Sequence, residues 1–340
     1  MNIRVGILTA PHIEFEQRAN TFILKNVRIG IGFHWDRHED QEFAGTLEIR
    51  TNADGSQTAI NTIDLEDYLC SVISSEMNAN SPMELLKAHA VISRSWAIRA
   101  MQKPNHEGFH VCADDHCQRY EGLLRMNERA VEAVNATRGQ VLMYDNEICD
   151  CRYYKCCGGR TEIWRTCWED IDVPYIQSVQ CDFCKSPSPK VLRLVLNDYD
   201  QETKDFRDWS VTYTAEELSE IIRAKSGIDF GEITDLIPLH RGASGRIDSL
   251  KIVGTKHTEV IGKELKIRYW LSKSCLYSSW FEVKKSFQLS TFTFQLNGHG
   301  WGHGAGLCQI GAAVMASEGH PYEEILSYYY RGAVLDKMAK

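Results

Sequence analysis

Glycine occupies every second position from residue 298 to residue 306, within the segment NGHGWGHGAGLCQIG at 297–311. Glycine loses more backbone entropy on folding than other residues, so this density indicates tight turns or a close approach of the backbone to another group. His299 and His303 lie four residues apart inside it. Two histidines at this spacing chelate a metal on a helix, but the glycines disfavour a helix here. The segment therefore predicts a tight loop that leads into a helix near Ala305.

The composition excludes several classes of protein. The chain has 340 residues, of which 43% are hydrophobic and 25% charged, as in soluble globular proteins. Its formal net charge is −8, without a cluster of Lys and Arg, which argues against a nucleic-acid groove. No stretch approaches the apolar length of a membrane span, and the N-terminus lacks the features of a signal peptide.

The order of expected elements predicts an α+β fold rather than a regular βαβ alternation. Short strands are expected up to about residue 63, and residues 191–197 also have the pattern of a strand. Residues typical of helix N-termini occur at four expected helix starts, and two of the four starts have a capping box. The starts are Asp64, Ser81-Pro82-Met83-Glu84 (a capping box), Thr214-Ala-Glu-Glu217 (a capping box) and Pro321.

Glu76 lies at the junction between the first two predicted helices. A carboxyl group held against packed helices loses solvent, which raises its pKa and suits it to general acid catalysis. On local sequence alone, an exposed surface glutamate is the commoner interpretation of such a position.

Five segments occur in an order that resembles a known family. They are DLEDYLCSVISSEM with SPMELLKAHAVISRSWAIRAM (64–101), ADDHCQRYEG (113–122), YKCCGGRTE (154–162), VPYIQSV (173–179) and NGHGWGHGAGLCQIGAAVMASEG (297–319). This set resembles the SpoIID/LytB family, in which a Glu-Met pair precedes a proline-initiated helix. The resemblance covers about residues 64–331, and its glycine–histidine segment is the most specific of the five.

The resemblance implies a single SpoIID-like catalytic domain of mixed helices and short strands at 63–335, after a β-rich segment at 1–62. Residues 185–245 are a candidate insertion. Characterised SpoIID members are lytic transglycosylases that cut the MurNAc–GlcNAc bond of peptidoglycan and leave a 1,6-anhydro end. Other members were described as amidase enhancers, so a non-catalytic glycan-binding module is the alternative. The family's catalytic Glu corresponds to Glu76.

The same landmarks imply further site residues. His116 is assigned to the catalytic cleft with Glu76, and Gln118 to a sugar contact. The other expected substrate-binding residues are Gly158, Gly159, His299, Trp301, His303 and Gln309. His303 is expected to be buried and hydrogen-bonded so that it fixes the loop, and a purely structural role for both His299 and His303 stays open.

The segment 106–117 offers nitrogen and sulfur ligands for zinc, which takes four of them in a tetrahedron. Some family members bind a structural zinc in this region through two Cys and one His. The corresponding residues are His106, Cys112 and Cys117, with His110 as a substitute. A Cys112–Cys117 disulfide or free thiols are the alternatives, and no organic cofactor is expected.

A second group of cysteines follows at 149–184. Its CxxC pair, Cys181 and Cys184, is typical of half a zinc ribbon, completed by Cys156, Cys157 or Cys167, or of one arm of a disulfide network. We expect this group to rigidify the Gly158-Gly159 loop. The third alternative is a thiol nucleophile in this group. Such a thiol would need a nearby base and an electropositive setting.

The expected partners are peptidoglycan glycan strands, together with a cell-wall amidase or another envelope protein. The substrate places the protein in the cell envelope or periplasm, although no signal peptide is visible in the chain.

Overall fold

The computed structural model describes residues 1–33, 36–185, 187–197, 200, 206–288 and 291–338. Helices and strands alternate irregularly along the chain, which confirms the α+β class. The strands are β1 (Asn2–Ala10), β2 (Phe15–Gln17), β3 (Thr21–Ile29), β4 (Arg37–Ala44), β5 (Thr46–Thr51), β6 (Gln57–Asp64), β7 (Val111–Cys112), β8 (Gln140–Tyr144), β9 (Glu147–Ile148), β10 (Tyr153–Tyr154), β11 (Asp208–Thr214), β12 (Ile233–Arg241), β13 (Ile247–Gly254), β14 (Thr258–Ile261), β15 (Phe281–Gln288), β16 (Thr291–His299), β17 (Leu307–Cys308) and β18 (Val334–Lys337).

The helices are distributed among the strands along the described part of the chain. The α-helices are α1 (Leu65–Glu76), α2 (Met83–Gln102), α3 (Glu128–Ala136), α4 (Trp164–Cys167), α5 (Pro189–Val195), α6 (Ala215–Ser226), α7 (Glu264–Trp270), α8 (Gln309–Ser317) and α9 (Tyr322–Tyr329). Short 3-10 helices occur at Gly122–Arg125 and Asp182–Cys184. Among the described residues, no helix has the length and apolar character needed to cross a membrane.

The N-terminal strands and the first two helices share one hydrophobic core. The sheet β5-β6-β1-β7 packs with the sheet β2-β3-β4, and their buried side chains join those of α1 and α2. Ile3 and Phe22 contribute from the strands, and Leu69 and Leu86 from the helices. Because burial of this apolar surface stabilises both parts together, α1 is held rigidly against the sheet and Glu76 sits at its last turn.

One of the two predicted capping boxes is absent. Thr214 caps α6 reciprocally with Glu217, as predicted. Ser81 instead donates its hydroxyl to the carbonyl oxygen of Leu194 at 3.1 Å, and Pro82 occupies the cap position of α2. The prediction at Ser81 was wrong because a partner 113 residues away in sequence competes for the hydroxyl.

A second hydrophobic core lies in the C-terminal half of the chain. It runs from Trp209 to Leu296 and is built from β11–β16 with α6 and α7. The predicted insertion at 185–245 overlaps this part and stays a prediction. The strand expected at 191–197 is wrong, because residues 189–195 form α5, whose N-terminus is capped by the Ser188 side chain.

Candidate functional site

The Glu76 carboxyl is held by two elements that are distant in sequence. Its Oε1 accepts a hydrogen bond from the backbone N–H of Arg119 at 2.9 Å and another from the Tyr153 hydroxyl at 2.9 Å. Among the described residues, Oε2 accepts no hydrogen bond. Glu76 is half-buried, so this arrangement orients the carboxyl and leaves one oxygen for a ligand.

Burial raises the pKa of Glu76, and the Asp115 carboxylate adds to this effect. The guanidinium of Arg119 and the hydrogen bond from Tyr153 favour the charged form and so act in the opposite direction. Burial is the largest influence, so the carboxyl retains its proton to a higher pH than an exposed glutamate does. Two surface grooves, one beside Tyr269 and one beside Arg223, do not include Glu76.

Tyr153 and Lys155 reach Glu76 from β10 and the residue that follows it. Lys155 Nζ donates to the backbone carbonyl of Glu76 at 3.3 Å and to Asp200 Oδ2 at 2.7 Å. The Asp200 side chain is fully buried, so this ion pair anchors the C-terminus of α1. Sequence reasoning missed both residues, although the i, i+2 spacing of Tyr153 and Lys155 is the signal for one face of a strand.

Residues 300–306 of the glycine-rich segment form an irregular loop, as predicted, whereas Gly298 and His299 belong to the end of β16. The loop glycines pack against other parts of the protein. Gly300 has a φ of +76°, and a Cβ there would lie 2.7 Å from the carbonyl oxygen of Cys156. At Gly306, with a φ of +86°, a Cβ would lie 2.0 Å from the carbonyl oxygen of Arg152. The close approach that requires glycine is therefore to the segment around β10. The helix begins at Gln309, four residues later than predicted, because β17 precedes it and Cys308 caps it.

His303 is hydrogen-bonded within this loop and to β10, as expected, although it is half-buried rather than buried. Its Nε2 donates to the carbonyl oxygen of Tyr153 at 3.0 Å, and its Nδ1 accepts from the backbone N–H of Ala305 at 3.1 Å. Burial lowers the pKa of His303 well below that of a free histidine, which keeps the ring neutral. His303 thus joins the loop to the strand that carries Tyr153.

The other residues assigned to the loop differ in exposure. His299 is partly exposed, with Nδ1 2.7 Å from Asp208 Oδ1, while Trp301 is buried with Lys155 Nζ 5.8 Å from its ring centre. Gly158 and Gly159 follow β10, and a Cβ at Gly158 would meet the backbone N of Gly300 at 3.1 Å.

Gln309 and Gln118 are buried, so a direct sugar contact requires that the residues around them move. Gln309 Nε2 lies 3.1 Å from His89 Nε2, and the opposite nitrogen of that ring bonds the Ser93 hydroxyl at 3.0 Å. Gln118 accepts from the hydroxyl of Tyr68 at 3.1 Å. His89, on α2, was not identified from the sequence.

A group of two histidines and two cysteines lies beside β7. Its members are His106, Cys112, His116 and Cys117, whose ligand atoms all lie within 4.8 Å of one another. Hydrogen bonds from Cys117 and His116 lower the pKa of Cys112 to about 4, which favours the thiolate that a metal needs. The two thiols are not joined as a disulfide. This donor set fits tetrahedral zinc.

His116 and His110 have places that differ from those expected. His116 Nδ1 is 3.5 Å from Cys117 Sγ, so its ring belongs to the Cys–His group, where we assigned only three ligands. His110 was the proposed substitute ligand, but its Nδ1 accepts a hydrogen bond from the backbone N–H of Arg4 at 3.0 Å.

A second group of thiols lies where the glycine-rich segment ends. Cys157, Cys181, Cys184 and Cys308 are buried, and their sulfur atoms also lie within 4.8 Å of one another. Cys308 was not placed in this group from the sequence. Four cysteine sulfurs are a donor set that holds a metal ion.

Comparison with known proteins follows the same landmarks. A family model described as "Stage II sporulation protein" matches residues 53–144, and one described as "Domain of unknown function (DUF8618)" matches residues 162–306. An uncharacterized protein of Brachyspira hyodysenteriae is 30% identical over 292 residues, which is 86% of this chain and 71% of that protein. Stage II sporulation protein D of Bacillus subtilis is 28% identical over 298 residues, which is 82% of this chain and 76% of that protein. The chain belongs to the SpoIID family.

A further SpoIID relative is the amidase enhancer of Bacillus subtilis. It is 26% identical over 296 residues, which is 78% of this chain but 39% of that protein. Membership of the SpoIID family associates the chain with the bacterial cell wall. Both relatives from Bacillus subtilis cover most of the chain, and the matched family model at 53–144 includes the segment of Glu76.

Proposed function

We propose that this protein is a peptidoglycan lytic transglycosylase with Glu76 as its acid and base. The observation that carries the proposal is the Glu76 carboxyl, oriented through one oxygen by Arg119 and Tyr153 and with a pKa raised by burial. A general acid needs both a defined direction and a proton near neutral pH.

In the proposed reaction, protonated Glu76 donates its proton to the oxygen of the leaving sugar as the glycosidic bond breaks. The resulting carboxylate accepts the proton of the MurNAc 6-hydroxyl as that oxygen attacks the anomeric carbon. The product is a 1,6-anhydro end, and Glu76 recovers its proton. Glycosidases that use water usually need two carboxylates, whereas here the sugar's own hydroxyl replaces water and one carboxylate suffices.

The glycine-rich loop forms the opposite side of the proposed cleft. His299 is its partly exposed polar side chain, held by Asp208, and is the residue we assign to contact the sugar. His303 and Trp301 act by holding the loop, since their rings are engaged with Tyr153, Ala305 and neighbouring aromatic rings. The sugar-binding roles of Gly158 and Gly159 stay predictions.

Zinc at the Cys–His group would act structurally. His106, Cys112, His116 and Cys117 would hold it, and it would fix the loop that continues into Arg119. Because the backbone N–H of Arg119 orients Glu76, loss of this ion is expected to lower activity without removing the acid itself.

Replacing Glu76 with Gln tests the function. The variant should lose activity by on the order of 10²-fold or more on purified glycan strands, with and without stem peptides, because an amide cannot supply the proton. Anhydro-MurNAc ends are measured by mass spectrometry. Glu147→Gln is the matched control, since this glutamate is exposed and lies on a hairpin that does not contact Glu76.

Unchanged release of anhydro ends by Glu76→Gln would show that Glu76 is not the catalyst. Glycan binding without any product from the wild-type protein would favour the non-catalytic module that activates an amidase. Activity abolished by iodoacetamide but not by Glu76→Gln would favour a thiol hydrolase.

A further inference from the structure

The four buried cysteines come from three separate segments of the chain. Cys157 follows β10, Cys181 caps the 3-10 helix Asp182–Cys184, Cys184 is the last residue of that helix, and Cys308 ends β17. All four residues are fully buried, with a relative exposure of 0%. Bringing four thiols from three segments to one buried point is unfavourable without a bond among them, because each segment loses conformational freedom.

The distances favour one metal ion over the other ways of joining cysteines. The sulfur atoms lie within 4.8 Å of one another, and sulfurs bound to one tetrahedral zinc at about 2.3 Å are held at a comparable separation. Cys157 and Cys184 approach to 3.0 Å between sulfurs, which is longer than a disulfide bond of about 2.05 Å. An iron–sulfur cluster divides its four cysteines among two or four irons, so sulfurs on different irons are more widely spaced than sulfurs on one metal ion.

Hydrogen-bond donors are directed at these sulfurs. The backbone N–H groups of Cys157 and Gly311 both point at Cys308 Sγ, each at 3.3 Å, and that of Gly159 points at Cys157 Sγ at 3.4 Å. Donors of this kind stabilise thiolates, as metal sites require of the groups around their ligands. Arg246 adds positive charge nearby, with its guanidinium 3.4 Å from the carbonyl oxygen of Cys157.

The sequence spacing agrees with this geometry. Cys181-x2-Cys184 has the spacing of a zinc knuckle, and the single 3-10 turn that follows Cys181 and ends at Cys184 brings the two sulfurs within 4.8 Å of each other. Cys308 caps α8, so the helix N-terminus also favours a negative sulfur at this position.

We propose that Cys157, Cys181, Cys184 and Cys308 bind one structural Zn²⁺ as a tetrathiolate, separately from the Cys–His group. The ion links the segment after β10 to the start of α8, and so holds the glycine-rich loop between them. Each thiol releases its proton on binding, and the zinc undergoes no redox change. The proposal does not depend on whether Glu76 is catalytic.

The test begins with the full chain carrying Cys112→Ser and Cys117→Ser, which removes the Cys–His group and leaves the buried thiols intact. After purification with added ZnCl₂ and removal of loose metal, this protein should retain about one zinc per chain. X-ray absorption should show four sulfur neighbours at about 2.3 Å. Substitution with Co²⁺ should give the visible absorption of a tetrahedral thiolate site.

Adding Cys181→Ser and Cys184→Ser should remove that remaining zinc and the cobalt spectrum. Cys70→Ser is the matched control, because Cys70 is buried on α1 and belongs to neither group. If the variant without Cys181 and Cys184 does not fold, the absorption measurement on the protein with all four thiols still decides. Absence of bound metal, a shell with nitrogen or oxygen, or disulfides among these cysteines in the native protein would each overturn the proposal.

Discussion

At the level of single residues, Tyr153 and Arg119 oppose the effect of burial on the acidity of Glu76. Both hydrogen bonds go to Oε1, and both favour the carboxylate, while burial favours the protonated form. The pKa is raised because burial is the largest of these influences. A transglycosylase needs the proton first and the carboxylate second, so a balance between these opposing influences suits both steps.

Tyr153→Phe should move the alkaline limit of activity to higher pH. Removing the hydroxyl removes a hydrogen bond to the charged form, so the pKa of Glu76 rises further. Because activity is lost as pH rises through this pKa, the limit should shift to higher pH than in the wild-type protein. Initial rates of anhydro-product release across pH measure it. Tyr154→Phe is the control, since the Tyr154 hydroxyl has no hydrogen-bond partner among the described residues; an unchanged limit in Tyr153→Phe would contradict the assignment.

At the level of elements, local signals predicted helix starts better than they predicted contacts. Asp64 and Thr214 cap their helices as expected, because each bond is made within three residues. Ser81 does not, because its partner Leu194 is distant in sequence. The same limit applies to the candidate site. The motif identified Glu76, but Tyr153 is 77 residues from Glu76 and His89 is 220 residues from Gln309, and no local pattern reports such contacts.

His89 links α2 to α8 and should make stability depend on pH. Burial lowers its pKa to about 3, whereas an unfolded histidine titrates near 6.5. Between these values only the unfolded chain binds the proton, so stability falls as pH falls, by up to about 1.4 kcal/mol per pH unit. His89→Gln should reduce this slope between pH 6 and pH 4 in urea unfolding. The exposed His12, changed to Gln, is the control. Equal slopes in all three proteins would refute a buried neutral His89.

At the level of the whole molecule, the two hydrophobic cores meet at the glycine-rich loop. β16 belongs to the second core and continues directly into this loop. Arg246, fully buried, donates to the carbonyl oxygen of Gly302 at 3.2 Å, and the backbone N–H of Glu162 donates to that of Gly304 at 2.7 Å. The C-terminal part therefore helps to fix the position of the glycine-rich loop.

Glu162→Gln should weaken this junction. The buried carboxylate accepts from four donors: the backbone N–H groups of Ile163, Ala243 and Ser244, and the Ser244 hydroxyl. An amide replaces one accepting oxygen with a donor that faces two other donors, so the free energy of unfolding should fall by about 2–4 kcal/mol. Urea unfolding measures this loss.

Hydrogen exchange shows where that loss acts. Amides of the glycine-rich loop should exchange faster in Glu162→Gln, because Ala243 and Ser244 no longer hold the segment that Glu162 joins to Gly304. Glu282→Gln is the matched control, since Glu282 is 70% exposed and pairs with Arg241 in the same part of the chain. Equal exchange in the two variants would mean that the second core does not position the loop, and the glycine-rich segment would then owe its conformation to β10 and α8 alone.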